Sequence, residues 1–214
     1  MKPVRRPFAP TVLFLAVSAG MLLAAGKPTF EQDFAAVPVG DLPAEFMVLD
    51  GQFTVKEEAG NRFVELPGSP LDSYGVLFGA NTPVGLSVSA RIQATKSGRK
   101  FPTFAVGLNG VGGYKLRVAP AKGGVELLRG DEVQATAPFK WTSGEWTRLR
   151  LTVVRKGSGV EVEGRVWSGD AEPTAPTVVF VDAQPMPAGK AGFWGLPFSG
   201  TPIRFDDLRL TPAP

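Results

Sequence analysis

The chain has 214 residues, 43% of them hydrophobic, with 26 glycines, 20 prolines, no cysteine, no histidine and a formal charge of +3. The absence of histidine excludes Ser-His-Asp and Cys-His catalysis and argues against zinc sites, and the absence of cysteine leaves no disulfide to support the fold. The first 26 residues fall into three zones: a basic start (Lys2, Arg5, Arg6), an apolar stretch from Thr11 to Ala25, and small residues at Ala24, Ala25 and Gly26. This is the layout of a secretory signal peptide, and its apolar stretch is shorter than the roughly 20 residues of a membrane-spanning helix. Cleavage is expected near Gly26, which makes the protein secreted or periplasmic; an uncleaved segment would instead tether it to a membrane. Its three charges are all basic, so removing it lowers the basic residues from 23 to 20, against 20 acidic. No excess positive charge remains for nucleic acid.

Beyond residue 26 the expectation is a single domain over 27–214 built almost wholly of β-strands. Glycine and proline recur too often for long helices, and alternation replaces any 3.6-residue period. In chain order, short strands are predicted at 52–56, 62–66 and 75–78. A longer one follows at 84–94, where Leu86, Val88, Ala90 and Ile92 face one way and Ser87, Ser89, Arg91 and Gln93 the other. Further strands are expected at 103–108, 114–119, 125–129 and 132–137. The segment 146–155 alternates strongly, with Trp146, Leu149, Leu151 and Val153 read as one face and Arg148, Arg150 and Thr152 as the other. The last strands fall at 160–167, 178–181, 191–194 and 203–210. Turn signals separate them: AGN at 59–61, GVGG at 110–113, KGG at 122–124, RGDE at 129–132 and KGSG at 156–159. The Arg-Gly-Asp string in RGDE is read as a plain hairpin turn. This spacing describes an all-β sandwich or barrel.

Three segments carry a resemblance. FEQDFAAVPVGDLPAEF (30–46), GEWTRLRLTV (144–153) and IRFDDLRL (203–210) are similar to the opening, a central and the closing strand of concanavalin A-like (laminin G-like) domains. The resemblance implies a two-sheet antiparallel jelly-roll sandwich in which the closing strand pairs back near the first. Many members bind or cleave glycans on a concave sheet. Catalytic members carry a Glu-x-Asp-x-x-Glu string, which this chain lacks. Some members hold a structural calcium between first and last strands, and the matching positions are Asp33 and Asp206.

The residues themselves offer few reactive groups. Glycoside cleavage needs two carboxylates at a defined separation; Glu161 and Glu163 lie on one strand face, roughly 7 Å apart, but alternate with Val160, Val162 and Val166 as on an ordinary solvent face. Carbohydrate binding uses aromatic faces with polar groups that fix the hydroxyls. Trp194, Tyr74, Tyr114, Trp167 and Asn109 are the candidates, because glycine or a turn beside an aromatic leaves its ring accessible. The leading expectation is a non-enzymatic module for a polysaccharide or cell-envelope component. A structural or adhesive envelope protein and a divergent glycoside hydrolase remain as alternatives.

Overall fold

The structure, a computed structural model, describes residues 27–70, 72–82 and 84–214. The expected signal segment lies outside the described residues. No helix among them is long and apolar enough to cross a membrane.

Among the described residues, sixteen strands form two antiparallel sheets. The nine-stranded sheet contains β1 (Phe30–Gln32), β2 (Gly40–Asp41), β4 (Thr54–Glu58), β5 (Asn61–Leu66), β7 (Leu86–Ala94), β12 (Trp146–Lys156), β13 (Gly159–Ser168), β14 (Val178–Asp182) and β16 (Ile203–Pro212). Its order is β14-β13-β12-β7-β16-β5-β4-β2, with β1 paired to β16. The seven-stranded sheet contains β3 (Met47–Asp50), β6 (Tyr74–Thr82), β8 (Thr103–Leu108), β9 (Tyr114–Ala119), β10 (Gly124–Arg129), β11 (Glu132–Pro138) and β15 (Gly189–Leu196), ordered β11-β10-β9-β8-β15-β6-β3. The all-β jelly-roll sandwich is therefore the architecture. The closing strand returns to the opening one, with Phe30 opposite Leu210. Arg129 and Glu132 close the β10–β11 hairpin, so RGDE is the turn that the sequence suggested.

The core is the set of inward residues that alternation predicts. Val88, Ala90 and Ile92 on β7 and Leu149, Leu151 and Val153 on β12 are buried, as are Phe104, Val106 and Leu108 on β8 of the facing sheet. Phenylalanines join the layers: Phe193 of β15 and Phe205 of β16 stack with centroids 4.5 Å apart, and Phe53 and Phe78 lie 5.7 and 6.1 Å from Phe193. Such contacts substitute for the missing disulfides.

Two expectations need correction. Trp146 does not share a face with Leu149; it lies on the outer side with Arg148 and Arg150, its ring beneath the Arg91 guanidinium at 4.6 Å and beside Phe63. A cation over the ring makes an outward tryptophan tolerable, so the residue type misstated the phase. Strands β2 and β3 are not among the strands that the sequence predicts, because β2 has two residues and β3 (MVLD) is an edge strand exposed at every position.

Candidate functional site

The candidate positions divide between separate places. Trp194 lies on the outer face of the seven-stranded sheet, clustered with Leu77 and Ala105 and only 5% exposed. The glycines beside it do not leave the ring open to a ligand; they make room for the ring itself. A Cβ added at Gly75 would come within 2.5 Å of the indole, and at Gly107 or Gly192 within 2.7 Å. The indole thus lies across β6, β15 and β8 on a glycine floor, with the Lys115 ammonium 5.3 Å from its centroid. Gly75→Ala is expected to displace the ring and lower stability by about 1–3 kcal/mol, read by near-ultraviolet circular dichroism and urea unfolding.

Tyr114 and Asn109 serve the interior. Tyr114 is wholly buried; its hydroxyl donates to Asp182 Oδ2 at 2.8 Å and accepts the Met186 N–H at 3.1 Å. Asn109, in the turn after β8, donates from Nδ2 to the Pro187 carbonyl at 3.0 Å. Asp182 also accepts from Arg129 Nε and from the Gln184 N–H, each at 2.8 Å. Together these groups fix the 183–188 loop, and Tyr114 has no free face for a sugar. Burial alone would raise the Asp182 carboxyl, but the hydrogen bonds from the Gln184 N–H, Tyr114 and Arg129 hold it below the usual range. Burial, then the bond to Asp182, pushes the Tyr114 phenol up to about 12 from 10.0.

The signs of these shifts give a test. A phenol raised on folding contributes stability present below about pH 10 and lost as pH rises through about 12. Wild type should therefore lose stability over this alkaline range relative to Tyr114→Phe. At pH 7 the phenylalanine variant should be weaker by about 1–3 kcal/mol, because two polar partners lose their bond. The depressed carboxyl of Asp182 acts at the other end: its contribution is present above the ordinary carboxylate pKa and is lost as pH falls below it.

Tyr74, half-buried, packs against the core and donates its hydroxyl to the Pro70 carbonyl at 3.2 Å. Trp167 lies on the outer face of the nine-stranded sheet, on the opposite side of the sandwich from Trp194. Asp33, exposed after β1, accepts the Ala35 N–H at 3.0 Å, an ordinary turn contact. Asp206 is fully buried; burial, partly offset by bonds from Asn61 and Arg91, holds its carboxyl above the usual range. Its Oδ2 accepts from Arg91 at 2.6 Å and from Asn61 at 3.0 Å, and its Oδ1 from the Asp207 N–H at 2.7 Å. A guanidinium occupies the place that a cation would take, so this pair does not fit a calcium site. Among the described residues no three or more carboxylates converge on a metal position. Calcium and chelator are accordingly expected to leave the melting temperature of the protein unchanged.

The polar groups that do converge were missed. A cross-strand row on the outer face of the seven-stranded sheet runs Gly75, Trp194, Ala105, Arg117, Glu126 and Thr136. Glu126 is nearly buried and accepts from Arg117 Nε and Lys122 Nζ, both at 2.7 Å. Burial would raise its carboxyl, but these two cations hold it below the usual range. Beside it a cleft of about 360 Å³ is lined by Lys122, Gly123, Gly124, Val125, Glu126, Thr136, Ala137 and Pro138. Lys122 stands at the end of the 3-10 turn Pro120–Lys122, and Gly123 follows it in the left-handed conformation. The KGG turn signal was visible, and counting outward from it pairs Arg117 with Glu126. This face presents charged donors and one ionised acceptor beside an apolar floor. A second acid, Asp131, stands 3.5 Å from Lys115 with its side chain fully exposed, and Glu161 and Glu163 lie on the other sheet, paired with Lys156 and Arg165.

In sequence, no protein-family model and no curated protein matches the chain. Solved structures match its fold. The carbohydrate recognition domain of Emp47p superposes with a TM-score of 0.61 at 10% identity, covering 91% of this chain and 100% of that one. A legume lectin-like domain from Entamoeba histolytica gives 0.60 at 9% identity, covering 79% and 91%. The exoplasmic/lumenal domain of VIP36, in a form bound to Ca2+ and Man3GlcNAc, gives 0.54 at 8% identity, covering 81% and 86%. The likeness is to legume-lectin-like sandwiches and does not point specifically to laminin G-like ones. At such identities it shows the fold alone.

Proposed function

We propose that this domain is a non-enzymatic, exported module that binds a glycan through the outer face of the seven-stranded sheet and the rim at Lys122–Val125. The observation that supports this reading is the row from Trp194 to Thr136, in which Arg117, Glu126 and Lys122 are held by one another beside a cleft. Fixed donors and an ionised acceptor suit the vicinal hydroxyls of a sugar, and their geometry is set before binding. Trp194 fixes the floor of this face, and the sugar meets Lys115 and Arg117 first. Fold neighbours that recognise carbohydrate add to the support. Export follows from the basic, apolar and small-residue zones of residues 1–26.

The test is retention of the protein on a panel of soluble and insoluble polysaccharides. Wild type should be retained on at least one, and Glu126→Gln should weaken that retention about tenfold. Retention of the variant equal to wild type would remove this face from consideration. One observation favours a second reading, a protein-contact role: edge strand β3 exposes Met47, Val48 and Leu49 at 52, 44 and 42%. That reading predicts concentration-dependent association abolished by Val48→Lys, with no polysaccharide retained.

A further inference from the structure

The outer face of the nine-stranded sheet, across the sandwich from the site above, carries arginines that the glycan reading does not use. One cross-strand row is Arg209, Ser89, Arg150 and Arg165 on β16, β7, β12 and β13; the next is Asp206, Arg91, Arg148 and Trp167 on the same four strands. Arg150 therefore faces Arg165, and Arg91 faces Arg148. Like charges directly opposite each other destabilise an antiparallel pair. Ser89 is the small member between Arg209 and Arg150, and a cleft of about 130 Å³ opens there, walled by Arg148, Arg150, Arg209, Trp167 and Asp207. This volume exceeds that of several waters and accepts an oxyanion with part of the ring that bears it.

Two donors at this cleft lack an acceptor. Arg150 Nε and Trp167 Nε1 are both buried and have no hydrogen-bond partner among the described residues. Buried donors without partners cost free energy, and an oxyanion in the cleft would supply acceptors. One counter-charge lines the cleft itself: Asp207 lies 3.1 Å from Arg91 and 3.5 Å from Arg148, which leaves Arg150 and Arg209 with partners only at the rim. Asp170 reaches Arg148 at 3.4 Å with its own side chain fully exposed; Glu31 pairs with Arg209 at 2.7 Å with both side chains half exposed; Glu172 pairs with Arg150 at 3.0 Å. Exposed pairs of this kind are weak and exchange readily. Because carboxylates already match the arginines, the cleft suits one negative charge gained by exchange with a rim acid and disfavours a dianion.

We propose that this cleft is a second binding site, for the carboxylate of an acidic sugar of the uronate class, clasped by Arg150 and Arg209 over Ser89 with the Trp167 indole against the sugar ring. The planar guanidinium fork matches a carboxylate, and the indole offers an apolar wall. The sugar half of the proposal rests on the glycan reading; the carboxylate half does not.

The experiment is a titration of ¹⁵N-labelled protein with sodium glucuronate, glucose and inorganic phosphate at constant ionic strength, following the indole N–H signals of its four tryptophans. Trp167→Phe assigns the relevant signal. Glucuronate should move the Trp167 signal, glucose should leave it in place, and phosphate should act at least about tenfold more weakly. Arg150→Gln combined with Arg209→Gln should lower glucuronate affinity at least tenfold, while Arg99→Gln at an exposed turn leaves it unchanged. Ser89→Val fills the cleft from below and should give the same loss if the double variant does not fold. A Trp167 signal unmoved by glucuronate, moved equally by phosphate, or moved with wild-type affinity in the arginine or Ser89 variants overturns the proposal. Failure of the glycan reading looks different: neutral polysaccharides pass unretained while glucuronate still moves Trp167.

Discussion

Phe193→Ala is expected to lower the unfolding free energy by about 3–5 kcal/mol, measured by urea denaturation. Phe193 is fully buried where the two sheets meet, and its ring touches Phe53, Phe78 and Phe205. Truncation removes the transfer energy of the ring and leaves a cavity whose walls belong to different sheets, so collapse around it is limited. Domains of this size have about 5–15 kcal/mol in total, and no disulfide limits the unfolded chain here. One substitution therefore removes a large part of the margin. Phe193→Leu, which keeps most of the volume, should cost much less. A loss below about 1 kcal/mol for the alanine variant would mean that the aromatic junction does not hold the sheets together.

Asp206→Ala is expected to cost about 3 kcal/mol, the lower end for breaking a buried pair because Arg91 keeps some exposure. The loss has two parts. Asn61 and Arg91 lose their shared acceptor, and Arg91 is left opposite Arg148 with one fewer counter-charge. Asp206→Asn should cost less, since it keeps an acceptor and relieves the burial of a charge that already holds the carboxyl above its usual range. The sign of the pH dependence follows. A carboxyl raised on folding contributes stability that is full below its unfolded pKa and is lost as pH rises through its folded value, opposite to Asp182. Wild type should thus gain stability relative to Asp206→Asn as pH falls through the carboxylate range. Equal stability of Asp206→Ala and wild type at pH 7 would remove the buried pair from the account.

The fold was legible because half-buried strands alternate. Thr103–Leu108 and Tyr114–Ala119 have in the structure the bounds that their pattern suggests. Strand β3 was not legible, since an exposed edge strand has no buried face to impose a period. The site was harder for a physical reason. Glycine next to Trp194 is compatible with an open ring and with a ring folded onto the sheet, and only the positions of Gly75 and Gly107 on neighbouring strands decide between them. Tyr114 and Asn109 looked like rim residues because turns flank them, yet a turn also brings side chains back to tie a second loop. The Arg117–Glu126 pair lies within one hairpin and could have been counted from its turn. The arginine rows could not, because β16, β7 and β12 are neighbours in space and far apart in sequence.

Backbone amide mapping is the decisive test of the proposed glycan binding on the seven-stranded sheet. With a retained oligosaccharide added to ¹⁵N-labelled protein, the signals of Lys115, Arg117, Lys122, Glu126 and Thr136 should shift together and saturate with one affinity. Shifts confined to the nine-stranded sheet, or to edge strand β3, would contradict the proposal.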